Sequence, residues 1–221
     1  MVRTAVLVSG GGTNLQALLD AGARGELPHC EIALVVSSKP GVYALERAEK
    51  AGVPAVVVAR KAYSGLADFD RAVLRVLREH KIEFVVLAGF MTIFGAEFVS
   101  AYRDRIINVH PALIPSFCGK GMYGLRVHQA ALDCGVKVTG ATVHLVNETP
   151  DGGRILLQRA VDVLDGDTPE TLQRRVMEQA EWLLLPQALE MCCAGYELQV
   201  TSSELQEDTY QPKWHTSSCN F

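Results

Sequence analysis

The stretch Thr4-Ala5-Val6-Leu7-Val8-Ser9-Gly10-Gly11-Gly12-Thr13-Asn14-Leu15-Gln16 decides the fold. An apolar run reaches Ser9, crosses three glycines and enters Leu15, Leu18 and Leu19, which have helical spacing behind a possible Asn14 cap. Gly22 stands where that helix is expected to stop. A strand buried on both faces that leads straight into a helix opens a parallel α/β sheet. Glycines let the backbone approach an anion closely, and a helix N-terminus presents free N–H groups and a positive dipole end. The loop therefore suits phosphate; the alternative is a tight turn with no ligand. The dinucleotide fingerprint needs its last glycine where Leu15 stands. It also needs an acid near the end of the second strand, where Ser37-Ser38-Lys39 is found. A phosphorylated small molecule fits better than NAD.

Outward from this loop, residues 31–36, 55–58, 84–87 and 105–109 read as further buried strands. Phe69, Val73, Val76 and Leu77 carry helical spacing behind Asp68. The alternation predicts an α/β, Rossmann-like, mainly parallel twisted sheet with helices on both faces. Residues 137–146 and 154–163 are longer strand-like segments around the Pro/Asp/Gly-rich stretch 147–153, either a hairpin-like reversal or a long loop. Thr168-Pro169-Glu170 is a helix start, with a cap, a first-turn proline and an acid at the dipole's positive end. That helix is expected to reach about Cys193, with Pro186 as a kink or break. Beyond it lies a polar tail with Tyr210, Pro212 and Trp214, which packs as an edge strand or stays loose.

Of 221 residues, 48% are hydrophobic and 21% charged, enough for a sizeable core and too apolar for a disordered chain. Lys and Arg number 21 against 25 Asp and Glu, a net charge of −4. That balance disfavours general nucleic-acid binding but leaves room for a local phosphate site. No signal-length segment with a cleavage site opens the chain, and no apolar run approaches the ~18 residues needed to span a bilayer. A cytoplasmic protein is expected. Cys30, Cys118, Cys134, Cys192, Cys193 and Cys219 form no CxxC pair, so free thiols and no metal are expected.

The chemistry-bearing residues fall at strand exits. Leu87-Ala88-Gly89-Phe90-Met91-Thr92 closes the fourth strand and Asn108-Val109-His110-Pro111 the fifth. In a parallel sheet these ends share one edge with the glycine loop, where ligands bind. Asn108 and His110 are two residues apart and so share a face. His110 can move protons near neutrality, and the Asn108 amide can donate to a developing oxyanion. The plainer reading is a turn asparagine and a hydrogen-bonded histidine. Pro111 and Pro115 make the following segment rigid. Asp151-Gly152-Gly153 is by itself a turn signal. His144 by itself reads as a satisfied imidazole. Neither a Ser-His-Asp order nor a nucleophile elbow occurs, so covalent acyl transfer is not suggested.

Four motifs, taken in order, resemble the phosphoribosylglycinamide formyltransferase family over residues 1–195. They are Ser9-Gly10-Gly11-Gly12-Thr13-Asn14-Leu15-Gln16, Leu87-Ala88-Gly89-Phe90-Met91, Asn108-Val109-His110-Pro111-Ala112-Leu113-Ile114-Pro115, and Thr142-Val143-His144 followed by Asp151-Gly152-Gly153. The Asn-x-His and Asp set is similar to that of the wider 10-formyltetrahydrofolate transferases and hydrolases. The phosphate loop and the chain length point to the glycinamide ribonucleotide branch.

The resemblance implies a formyltransferase fold over 1–195, its N-terminal half binding the ribonucleotide phosphate, and a 196–221 tail. It implies direct formyl transfer from the co-substrate 10-formyltetrahydrofolate to the amine of glycinamide ribonucleotide in purine synthesis, without metal. It assigns catalysis to Asn108, His110 and Asp151, with His144 supporting the aspartate. It assigns ribonucleotide contacts to Gly12, Thr13, Asn14 and Glu181, and folate contacts to Phe90, Met91, Thr92, Ile93, Phe94 and the 147–153 loop. The implied partners are these small molecules, with no nucleic acid and no membrane, in a monomer or homodimer.

Two positions and one segment depart from the family. Thr92 stands where many members carry a basic residue, and Trp182 where histidine is common. The segment 117–124, with Cys118 and Lys120, resembles a mobile-loop variant. The alternatives are a formyltetrahydrofolate hydrolase, which usually carries an extra N-terminal domain, and a methionyl-tRNA transferase, which usually carries a C-terminal one. From another class, a non-catalytic nucleotide-binding module remains.

Overall fold

A computed structural model describes the backbone of residues 1–204 and the side chains to residue 198. The expectation for the rest of the tail, with Tyr210, Pro212, Trp214 and Cys219, lies outside the described residues. Strand β1 (Val2–Val8) lies between β2 (Cys30–Ser37) and β4 (Phe84–Leu87), parallel to both. With β3 (Ala55–Val57), β5 (Ile106–His110), β6 (Val138–Leu145) and β7 (Ile155–Asp162), the described strands form one sheet in the order β3-β2-β1-β4-β5-β6-β7. The first five are parallel and the last two antiparallel, so residues 137–163 form a strand reversal, one of the two expected arrangements.

The chain winds from β1 outward to β3, then returns to β4 on the other side. This topological switch opens a crevice at the carboxyl ends of β1 and β4. Apolar residues fill both faces. One face packs Leu15, Leu18, Leu185 and Leu189 from α1 (Thr13–Ala23) and α7 (Trp182–Glu204). The other packs Phe69, Val73, Leu77 and Phe98 from α3 (Leu66–Glu79) and α4 (Ala96–Ala101). No helix among the described residues is long and apolar enough to cross a membrane.

Three local expectations are corrected. The cap of α1 is Gly12, left-handed at φ 72°, while Asn14 sits inside the first turn with its side chain engaged elsewhere. Strand β5 ends one residue later than expected, so His110 is held in the sheet opposite Thr142. The C-terminal helix starts as expected, with a Thr168–Thr171 capping box and Pro169 in the first turn of α6 (Pro169–Val176). It then widens into a π turn at Met177–Glu181, and Pro186 lies inside an unbroken α7 that passes Cys193 and runs to Glu204. A proline deprives the carbonyl four residues earlier of its donor. That carbonyl belongs to Trp182, where the π turn ends, so the irregularity sits one turn before the proline.

Candidate active site

The glycine loop leaves β1 and caps α1. A Cβ on Gly10 or Gly11 would meet nothing within 4 Å, whereas one on Gly12 would lie 2.7 Å from the Ala44 Cβ. Gly12 is thus demanded by its left-handed backbone and by α2 (Tyr43–Lys50) pressing against it, while Gly10 and Gly11 face open space. Arg47 of α2 donates from Nε to the Gly11 carbonyl at 2.8 Å and from Nη1 to Gln16 Oε1 at 2.8 Å. Carbonyl and N–H of one trans peptide point in opposite directions, so this bond also fixes where the Gly12 N–H points.

The π turn brings Glu181 to the same place. Its Oε2 accepts from Asn14 Nδ2 at 2.6 Å, and Thr13 Oγ1 lies 3.7 Å from Met177 Sδ. Glu181 is buried; that burial pushes its pKa up to about 7, against the opposing pull of the Asn14 bond. Asn14 Oδ1 is buried without a partner. Thr13, Asn14 and Glu181 therefore lie together, next to Gly12.

The second cluster sits on β5 and β6. Antiparallel register sets Asn108 opposite His144. His144 Nδ1 lies 2.8 Å from the Leu145 carbonyl, which can only accept, so Nδ1 carries the proton. Nε2 then accepts from Asn108 Nδ2 at 3.1 Å, leaving the second amide hydrogen of Asn108 uncommitted to that bond. By the same logic His110 Nε2 donates to the Phe117 carbonyl at 2.9 Å and turns Nδ1 toward Asp151 Oδ2 at 3.7 Å. The other Asp151 oxygen lies 3.6 Å from His144 Nε2, and Oδ2 accepts from the Gly119 N–H at 2.8 Å. Asp151 has a left-handed backbone at φ 56°, so its carboxylate is aimed by a turn as well as by these bonds.

Burial lowers the His110 pKa, and the opposing attraction of Asp151 and the Phe117 carbonyl does not restore it. The imidazole is neutral at rest. Burial raises the Asp151 pKa, but its polar contacts, the Gly119 N–H bond among them, outweigh that and hold the carboxyl below its usual range. A neutral base thus faces an ionised carboxylate. The loop beyond β5 is rigid for a visible reason. Thr142 Oγ1 donates to the Ala112 carbonyl at 2.7 Å and accepts from the Ile114 N–H at 3.1 Å.

The third part is the β4 exit. Met91 and Ile93 are exposed, whereas Phe94 is buried and stacks at 3.6 Å on Phe98 and at 5.1 Å on Phe90. Asp70 of α3 accepts from the Gly95 N–H at 2.7 Å and ends the loop. Thr92 lies partly buried within this stretch. Cys118 donates to the Pro115 carbonyl at 3.2 Å, and burial with the nearby Asp151 charge raises its pKa, the opposite of an activated nucleophile. His128, on α5 (Leu125–Cys134), is fully buried without a partner at either nitrogen and is held neutral, its pKa near 4.

Sequence reasoning missed Arg47, Asp70, the Phe117 carbonyl and the Gly119 N–H. Arg47 and Asp70 lie on helices remote in sequence from what they hold, and backbone groups carry no residue-type signal. Among the described residues, no group of three or more His, Cys, Asp or Glu is placed to hold a metal ion.

An open α/β sheet whose strand-end crevice gathers an amide, two imidazoles, a carboxylate and a glycine-rich loop at a helix start has the place and the groups of an α/β enzyme site. The chain belongs to the formyl transferase family, which it matches over residues 2–189. It is 46% identical over 194 residues to the trifunctional purine biosynthetic protein adenosine-3 of Gallus gallus, covering 88% of this chain and 19% of that protein. The chain therefore spans about a fifth of that relative's length. It is 37% identical over 195 residues to phosphoribosylglycinamide formyltransferase of Haemophilus influenzae, covering 88% of this chain and 89% of that one. Among solved structures, glycinamide ribonucleotide transformylase 1 of Symbiobacterium toebii superposes with a TM-score of 0.83 at 41% identity, covering 88% and 89% of the two chains.

Proposed function

We propose that this chain transfers the formyl group of 10-formyltetrahydrofolate to the amine of glycinamide ribonucleotide. The observation that carries the reading is the meeting of Asn108, His110 and Asp151 at the strand edge that also holds the glycine loop and Glu181. The loop donors Gly12, Thr13 and Asn14 receive the phosphate and Glu181 the ribose. The β4 exit, Phe90 to Phe94, with Met91 and Ile93 exposed, receives the folate through its backbone groups.

The amine attacks the formyl carbon, forming a carbon–nitrogen bond and a tetrahedral oxyanion. The free amide hydrogen of Asn108 donates to that oxygen. The proton leaving the amine passes to His110 Nδ1, the open basic position of a ring whose Nε2–H is committed to Phe117. Asp151, at 3.7 Å, stabilises the imidazolium by its charge. The carbon–nitrogen bond to the folate then breaks and the proton goes to the folate nitrogen, leaving formylated ribonucleotide and tetrahydrofolate. No covalent enzyme intermediate is needed.

Steady-state kinetics with titration of the ribonucleotide test the roles. Asn108→Ala loses one oxyanion donor, so kcat falls about 10²–10³-fold while ribonucleotide affinity stays near wild type. Asp151→Asn loses turnover comparably through the uncompensated imidazolium. Near-wild-type turnover in both variants contradicts the assignment.

A further inference from the structure

We propose that Ser9 is a positioning residue that couples the two substrate loops, so that filling either one strengthens binding at the other. This rests on the reading of the glycine loop as the ribonucleotide site and of the β4 exit as the folate site.

The ladders at the switch point run out just before the crevice. Register pairing of β1 with β4 ends at Leu7–Leu87, and that of β1 with β2 at Val8–Ser37. Two further backbone bonds, from the Ala88 N–H to Leu7 and from the Ser38 N–H to Val8, take the sheet one step beyond. Past that point the Ser9 side chain continues the connection. Its Oγ accepts from the Met91 N–H at 3.0 Å and lies 2.7 Å from the Ser38 hydroxyl. One hydroxyl thus ties the exits of β1, β2 and β4.

Ser9 is 5% exposed and Ser38 is 4%, so water does not compete effectively for these bonds. Capturing the Met91 N–H also fixes the peptide it belongs to and turns the Phe90 carbonyl the opposite way. The Phe90 ring is held independently, stacked at 5.1 Å on Phe94 and 6.3 Å from Phe69. The backbone proposed to read the folate is therefore set by a residue that belongs to the phosphate loop. Gly10, next in the chain, has open space around it and leads into the anion site. A ligand that settles residues 10–14 settles Ser9, and through it Met91. Coupling of this kind is reciprocal by linkage.

The test titrates tetrahydrofolate into the intact chain with and without saturating glycinamide ribonucleotide, alongside steady-state transfer. In the wild type the ribonucleotide tightens tetrahydrofolate at least about fivefold, a typical coupling between sites. In Ser9→Ala the coupling factor falls to about one. Both KM values, measured with the other substrate saturating, rise by about the fivefold that the coupling supplied, and kcat changes far less. Ser9→Thr keeps the hydroxyl and restores the coupling. Ser9→Cys keeps the side-chain volume but is a weak acceptor, so it behaves like Ser9→Ala and covers a folding failure of that variant. Unchanged coupling in Ser9→Ala or Ser9→Cys overturns the proposal, as does a loss confined to kcat. A wild type that transfers formyl yet shows no coupling overturns this inference alone. A wild type that does not transfer formyl overturns the functional reading beneath it.

Discussion

Single residues at this site are tuned by what surrounds them more than by their type. Glu181 is the clearest case, a carboxyl buried between α1 and the π turn with its pKa raised to about 7. A carboxyl raised on folding binds its proton more tightly in the native state than in the unfolded chain. Its stabilising contribution is therefore full at low pH and is lost as pH rises from the ordinary carboxylate range to about 7. Glu181→Gln keeps an oxygen for the Asn14 amide and has no proton to lose. Chemical denaturation at pH 8 should show that variant more stable by about 2 kcal/mol, with little difference at pH 5. Ribonucleotide KM should rise at both pH values. Equal stability at pH 8 contradicts the buried-carboxylate account. The acid was singled out through family resemblance, but its Asn14 partner was read as a helix cap, because a cap and a buried donor use the same residue types. His110 stands out by its spacing from Asn108 at a strand exit, whereas Asp151 reads by itself as a turn and gains its role only through the family resemblance; the neutral state of His110 comes only with the structure, since burial has no local sequence mark.

At the level of elements, the α1 start separates backbone demand from ligand demand. Gly12 is squeezed by Ala44 of α2, whereas Gly11 faces open space, a difference invisible in a run of three glycines. Gly12→Val therefore destabilises the fold, by about 2 kcal/mol or more from strain and overpacking. Gly11→Ala leaves the melting temperature within about 2 °C and instead weakens ribonucleotide affinity, because only the approach to the anion is narrowed. Calorimetry with ligand titration distinguishes the two, and equal destabilisation would contradict the separation. The parallel strands were readable from their buried apolar runs, and the Thr168 start from its cap and proline. The π turn was not, because Pro186 marks an irregularity in the sequence without saying whether the helix breaks, kinks or widens. The helix passes Gly195 without stopping because a glycine ends a helix only where the chain turns left-handed, and Gly195 stays helical.

Across the whole molecule, the sheet order places function. Winding outward from β1 and back to β4 opens one crevice, and the reversal of β6 and β7 hangs Asp151 over it from the far side. The fold class and the shared edge of residues 9, 91 and 108 followed from alternating strands and helices, yet no local pattern shows that residues 47, 151 and 181 join them there. The central claim is that this edge joins two substrates. It is tested most directly by incubating the chain with 10-formyltetrahydrofolate, with and without glycinamide ribonucleotide, and measuring tetrahydrofolate and formylated ribonucleotide together. The account predicts both products in equal amounts, and only when the ribonucleotide is present. Tetrahydrofolate and formate released without the ribonucleotide at a comparable rate would contradict it.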